Sequence, residues 1–325
     1  MDNKKWFKHE AKFGLMMHFG LYSLLAGEWE GKRMPCIAEW IQSYFRIPGA
    51  VYSQLAKVFN PIFFNAEEWA RLAKEAGMTY ITITTKHHDG FALFDSAYDD
   101  YNTVKGTPFG RDIIAEMAQA CKKYGLKLGL YYSQDLDWHE QNGGGFNPYE
   151  LNVFDMHWTN NWDFPNDADK NYEQYFRAKV IPQVTELLTK YGDIALMWFD
   201  TPISISANLS KELFDLVKSL QPNCLVNSRI GNSLGDYVSM GDNEIPDEYM
   251  NDVLVESPTT LNNTWGFKYY DDDWKDAEKV MAIKNHLNSR GVNYLLNVGP
   301  DHLGRIPAPA IEILKKVGES GDKSK

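Results

Sequence analysis

Cysteine is scarce in this chain: Cys36, Cys121 and Cys224 are the only three in 325 residues. They are far apart and odd in number, which suggests neither a disulfide framework nor a metal knuckle and fits a reducing compartment. No apolar run approaches the roughly 20 residues that a helix needs to span a bilayer. The N-terminus, Met1-Asp-Asn-Lys-Lys-Trp6, passes straight into charged sequence, with no apolar stretch of signal-peptide length. A cytoplasmic protein is the expectation. Excess positive charge is also missing. At a net charge of −11 the chain lacks the electrostatic footprint of a nucleic-acid or anionic-membrane binder. There is no internal repeat and no low-complexity linker, so a single domain spanning 1–325 is the economical reading.

Hydrophobic residues make up 44% and charged residues 24%, enough for a large soluble core. Aromatics reach 14%, with ten Trp and eighteen Tyr, a content that suits a pocket stacking on sugar rings. The first half alternates short apolar runs with helical periodicity. Candidate strands are Phe13–Gly20, Met78–Thr85, Leu126–Tyr132 and Ile194–Phe199; the helices between them start at Pro61, Arg111 and Asn171. Shorter strands are expected at Cys224–Asn227, Asp236–Ser239 and Val253–Glu256, and a last one at Asn293–Val298. Helices follow at Leu209–Leu220, Asp276–Arg290 and Ala308–Val317. Eight strands in regular alternation predict a (β/α)8-type barrel of the α/β class, irregular in its second half, where 231–274 shows little helix. A long segment from Gln134 to about Lys170, rich in Gly, Asn, Asp and Trp, reads as a functional insertion.

Asp200 ends the apolar run Ile194–Phe199 and would project into the barrel mouth, where active sites of this fold lie. Alone it reads as a cap of the next turn. On the barrel, however, the strand ends also carry His18, His87, His88, Tyr131, Arg229, Glu256 and, nearby, Asp242. So many unpartnered polar groups at one end would be costly to bury for structure alone. Two chemistries fit. His18, His87, His88 and Asp200 could hold zinc or manganese, as in metal-dependent barrel hydrolases. But no His-x-His pair follows the first strand, and adjacent histidines on an extended chain point in opposite directions. Alternatively, two carboxylates flank a glycosidic bond while histidines, an arginine and aromatics hold the sugar.

The segments Phe13-Gly-Leu-Met-Met-His-Phe-Gly-Leu-Tyr-Ser23, Thr84-Thr-Lys-His-His-Asp-Gly-Phe91, Thr107-Pro-Phe-Gly-Arg-Asp112, Gly129-Leu-Tyr-Tyr-Ser133, Met197-Trp-Phe-Asp200, Thr264-Trp-Gly-Phe267 and Asn293-Tyr-Leu-Leu-Asn-Val-Gly-Pro300 occur in this order. Together they resemble the α-L-fucosidases of glycoside hydrolase family 29 from about residue 6 to 318. The Ser239-Met-Gly-Asp-Asn-Glu-Ile-Pro246 segment is most similar to short intracellular bacterial members, some of which act on α1,6-linked fucose on N-acetylglucosamine. The resemblance implies a retaining exo-glycosidase that needs no metal or cofactor, with Asp200 as nucleophile. It also implies fucose contacts from His18, Glu39, Trp40, His87, His88, Tyr131, Trp198, Arg229, Glu256 and Trp265. A fucosylated oligosaccharide or glycoconjugate is the expected substrate; a non-catalytic fucose-binding barrel is the competing reading.

In that family the acid/base lies on a variable stretch, and three carboxylates stand there: Asp242, Glu256 and Glu244. Asp242 is preferred, because it follows the Gly-Asp-Tyr strand where several members carry their acid. Two departures stand out. The family's His-Trp-Gly reads His18-Phe19-Gly20, and the C-terminal β-sandwich common in the family is missing. Its absence should leave one side of the pocket open or covered by a neighbouring subunit of a homo-oligomer. Linkage preference should reside in the 134–170 insertion and the 240–275 loops.

Overall fold

The computed structural model describes residues 2–146, 156–250 and 252–322. Eight parallel strands pair in the order β5-β4-β3-β2-β1-β8-β7-β6. They are β1 (Phe13–Met17), β2 (Tyr80–Lys86), β3 (Lys127–Tyr132), β4 (Leu196–Phe199), β5 (Leu225–Val226), β6 (Val238–Ser239), β7 (Val255–Thr260) and β8 (Val292–Val298). The two ends of the sheet meet. Asn227, just past β5, makes a parallel bridge with Tyr237, just before β6, and the Asp236 N–H donates to the Val226 carbonyl at 2.6 Å. The result is the expected α/β barrel.

Alternation along each strand sorts side chains into two layers. Leu15, Ile81, Leu130, Met197, Phe199 and Leu296 face outward into the helix-covered core, whereas Met16, Tyr80, Tyr131, Leu196, Trp198 and Leu295 fill the interior. A Cβ on Gly14 would come within 2.3 Å of the Tyr80 ring, so this glycine lets that ring lie across β1. Helix Asn3–His9, capped by Asp2, adds Trp6 and Phe7 to the interior cluster, with Trp6 edge-on to Tyr80 at 5.6 Å.

Outer helices are α1 (Ala66–Glu75), α2 (Ile113–Tyr124), α3 (Ile181–Lys190), α4 (Ala207–Leu220), α5 (Ala277–Ser289) and α6 (Ala308–Asp322). Asn65 caps α1 by accepting from the Glu67 and Glu68 N–H groups, and α2 ends at Gly125 in the left-handed conformation, as sequence signals predict. Among the described residues no α-helix follows β5 or β6, only the 3-10 turn Ser228–Ile230, so the expected irregularity is real. Among the described residues no helix is long and apolar enough to cross a membrane.

One strand differs from expectation in a way that matters. The pattern places β7 at 253–256, but it runs from Val255 to Thr260 through Pro258. Its neighbour β6 reaches only Glu256, so beyond that point Pro258 sits at a one-sided edge, where a missing N–H is tolerated.

The insertion after β3 is anchored by two buried aspartates, while its residues 147–155 lie outside the described ones. Asp135 accepts from the backbone N–H groups of Gly145, Ile203, Ser204 and Ile205 at 2.7–2.9 Å, tying the insertion to the loop after β4. Asp137 accepts from Lys86 and Lys179, each at 3.0 Å, and from the Tyr175 hydroxyl at 3.2 Å, all with buried side chains. Lys179 reaches it from a π-helical turn, Phe176–Val180, that precedes Pro182. Removing one member of a buried ion cluster strands the others without a partner. Asp137→Ala should therefore cost about 3–5 kcal/mol in urea unfolding. Lys123→Ala, which breaks an exposed pair with Glu67, should cost at most about 1 kcal/mol. Equal losses would contradict this account of the insertion.

Candidate active site

The first five strands each deliver a polar group just beyond their last residue: His18, His87, Ser133, Asp200 and Asn227. Asp200 follows β4 and is 9% exposed. Its Oδ2 accepts from the Tyr131 hydroxyl at 2.8 Å and its Oδ1 from Arg229 Nη1 at 3.0 Å, while its own N–H donates to Gln134. The next residue, Thr201, adopts φ +48°, a conformation disfavoured for a β-branched side chain. Three of the amides gathered by Asp135, those of Ile203, Ser204 and Ile205, hold the loop that begins there, so the strained turn beside Asp200 is imposed by its surroundings.

Arg229 links this carboxylate to a second one. Its Nη2 donates to Asp242 at 2.6 Å and to the Met240 carbonyl at 2.8 Å, and the guanidinium lies 4.7 Å above the Trp198 ring. Two carboxylates therefore flank one guanidinium at the barrel mouth: Asp200 buried, Asp242 with its side chain 49% exposed. Glu244, the third acid considered for this loop, accepts from the Gly241 N–H and lies outside the pocket lining.

Three histidines line the opposite wall, and burial lowers the pKa of each. His18 is pushed down to about 4, and His87 and His88 well below their usual value. Hydrogen bonds assign the tautomers of His18 and His88. Asn297 donates through its amide to the Trp265 carbonyl, so its Oδ1, 2.7 Å from His18 Nδ1, must accept; His18 Nε2 is left as an acceptor. Ser133 donates to the Leu136 carbonyl and so accepts from His88 Nδ1 at 2.7 Å. His88 Nε2, also an acceptor, stands 3.9 Å from Asp200 Oδ2. The expectation that His87 and His88 point in opposite directions does not hold. β2 ends at Lys86, a turn closes from His87 to Gly90, and both rings face the pocket with centroids 4.0 Å apart.

Glu39 is buried on a short turn held to the Thr264–Gly266 loop. Ala38 N–H donates to Thr264, and Gly266 N–H donates to Glu39 at 2.8 Å. Burial, opposed by that bond, pushes its carboxyl up to about 8.

These groups line a small inner chamber at the floor of a wider cleft. His18, Glu39, Trp40, His87, Tyr131, Trp198, Asp200, Arg229, Asp242 and Trp265, all anticipated, line it together with Met16 and Ile37. His88 lines the outer cleft of about 920 Å³ into which the chamber opens. Glu256 does not line either. Because β7 starts at Val255, Glu256 stands low inside the barrel, beneath Trp198, rather than at a strand end. The outer cleft also contains residues that the sequence motifs do not single out: Tyr44, Met156, Trp158, Asn243, Asn263 and Lys268. The Trp-rich insertion signals the region of Met156 and Trp158, and the 240–275 loops that of Asn243, Asn263 and Lys268, but neither signals their positions. Among the described residues no three His, Cys, Asp or Glu side chains are placed to hold a metal ion.

A parallel barrel whose mouth presents a carboxylate pair, neutral histidines and tryptophan walls has the architecture of an α/β-barrel glycoside hydrolase. The chain belongs to the α-L-fucosidase family, whose sequence pattern it matches over residues 1–320. It is 28% identical to α-L-fucosidase 1 of Arabidopsis thaliana, aligning 95% of this chain with 58% of the plant protein; the chain spans little more than half of that relative's length. Its structure resembles α-L-fucosidase AlfC from Lactobacillus casei in complex with α-L-fucose, with 51% identity, 100% and 99% of the two chains covered and a TM-score of 0.95. It also resembles α-L-fucosidase isoenzyme 1 from Paenibacillus thiaminolyticus, with 34% identity, 98% and 75% coverage and a TM-score of 0.85.

The raised Glu39 carboxyl has a consequence for stability. Between pH 4.5, its ordinary value, and about 8 the unfolded chain releases a proton that the folded protein keeps. This residue's contribution to stability therefore falls as pH rises, by up to about 1.4 kcal/mol per unit. Glu39→Gln removes that dependence. Its Tm relative to the wild type should climb from pH 5 to pH 8 in scanning calorimetry; parallel curves would refute the assignment.

Proposed function

We propose that the protein is a retaining exo-α-L-fucosidase that releases terminal α-linked L-fucose from oligosaccharides or glycoconjugates. The observation that carries this reading is the single Arg229 guanidinium donating to both Asp200 and Asp242. One guanidinium spanning both is compatible with the roughly 5–5.5 Å separation of a retaining pair. In the first step Asp200 attacks the anomeric carbon, its ester bond forms as the glycosidic bond breaks, and Asp242 gives its proton to the departing oxygen. In the second, Asp242 takes a proton from water, the water oxygen bonds to the anomeric carbon, and the ester breaks to free Asp200. His18 and His88, uncharged and with acceptor nitrogens exposed, suit sugar hydroxyls as donors, and Tyr131 steadies the nucleophile.

For the acceptor side we favour α1,6-linked fucose on N-acetylglucosamine. AlfC, which shares this chamber's fold at 50% identity, has been seen as a D200A mutant in complex with Fucα(1,6)GlcNAc and with 4-nitrophenyl α-L-fucopyranoside. The outer cleft, bounded by Met156 and Trp158 of the insertion and by Asn243, Asn263 and Lys268, is roomy enough for such an aglycone. The buried thiols of Cys121 and Cys224 support a cytoplasmic location, and the 51% identity to AlfC supports a bacterial source. We read the chain as one catalytic barrel, and a homo-oligomer in which a subunit borders the cleft remains our proposal for its assembly.

Asp200→Ala should slow release of 4-nitrophenol from the aryl α-L-fucoside by at least about 10³-fold. A wild-type protein that binds fucose without turnover would instead be a binding barrel. Azide should rescue Asp242→Ala, with retained configuration, but not Glu244→Ala. On a panel of linkage-defined disaccharides the α1,6 compound should turn over fastest; preference for another linkage would overturn the acceptor assignment.

A further inference from the structure

Glu256 is a fully buried carboxyl that the proposed mechanism does not use. From β7 it accepts from the Tyr80 hydroxyl of β2 at 2.7 Å and from the Trp198 indole N–H of β4 at 2.8 Å. The Tyr237 hydroxyl, entering from the residue before β6, is buried without a hydrogen-bond partner, and its pKa is raised by burial first and by the Glu256 charge second. On the other side of the indole lies Arg229, 4.7 Å above the ring. Trp198 is thus held between a carboxyl at its N–H edge and a guanidinium on its face, and that guanidinium holds Asp200 and Asp242.

We propose that Glu256 is a positioning residue for the carboxylate pair: through Trp198 it fixes where Arg229 sits and how much of its charge reaches Asp200. This inference rests on the fucosidase reading for its kinetic test. A carboxylate accepting from an indole N–H enriches the ring in electron density and strengthens its attraction for a cation on its face. With the charge removed, Arg229 binds its remaining anions more tightly, and an anion held more tightly is a weaker nucleophile. Burial raises the Glu256 carboxyl to about 7, against the opposing pull of Tyr80, Trp198 and Arg229, so its charge changes within the working range of an enzyme.

The deciding variant is Glu256→Gln, which keeps the shape and an acceptor for Trp198. On the aryl fucoside kcat should fall about tenfold with KM changed less than about twofold, and the limb of the pH profile near neutrality should shift or vanish. Wild-type kcat with an unchanged pH profile would overturn the proposal. So would azide rescue of Glu256→Ala, which would make this residue the acid/base itself. A second variant needs no activity at all. In a crystal structure of Glu256→Leu, Arg229 should leave the Trp198 face while keeping its bonds to Asp200 and Asp242. Arg229 and Trp198 unmoved, with both contacts intact, would refute the proposal even if the fucosidase reading had failed.

Discussion

The Arg229 guanidinium between Asp200 and Asp242 is the interaction on which the rest of this site depends. It stands on a short turn after β5, where the barrel has lost a helix, and it reaches across the mouth to a carboxylate delivered by β4. Whenever both carboxylates are ionised they would repel each other at this barrel end without it. The guanidinium is supported in turn by the Trp198 face and the Met240 carbonyl, so its position is set by the interior layer as well as by its ionic partners. Such a cation lowers the cost of gathering the pair without belonging to either carboxylate.

Around that centre, burial is used to keep groups neutral. Each of the three histidines is buried among aromatic rings, with His87 stacked on Tyr131 at 5.4 Å and His88 edge-on to Trp40 at 5.0 Å. Desolvation outweighs the aspartates near His18 and His88, and at His87 neighbouring imidazoles and Lys86 act in the same direction as burial, so the imidazoles act as fixed dipoles instead of cations. A positive histidine beside Asp200 would quench the nucleophile; an uncharged one can accept from a hydroxyl and leave the carboxylate reactive. Glu39 follows the same logic with the opposite sign of charge.

The irregular half of the barrel supplies function where regularity would have closed the site. With no α-helix among the described residues after β5 and β6, the chain from 227 to 250 is free to bring Arg229, Met240 and Asp242 over the mouth. The opposite wall comes from the insertion after β3, fixed by Asp135 and Asp137 to the loop after β4 and to the end of β2. Positioning and fold stability thus share the same buried aspartates.

Most of the barrel and the inner chamber were legible in the sequence alone. Apolar runs ending in His18, Asp200 or Tyr131 announce both the strands and the residues at their ends, because a strand's period carries its side chains in register to one mouth. What only the tertiary structure decided is how those groups meet. Periodicity near Pro258 shortens β7 and lifts Glu256 to the rim. Its true place, under Trp198, follows from a one-sided edge that depends on how far β6 extends, a long-range fact. Likewise the shared direction of His87 and His88 comes from a turn after Lys86, and the pairing of Asp242 with Arg229 from loops without periodicity. Local pattern determines which residues arrive at the barrel mouth; contacts between distant segments determine which of them face one another.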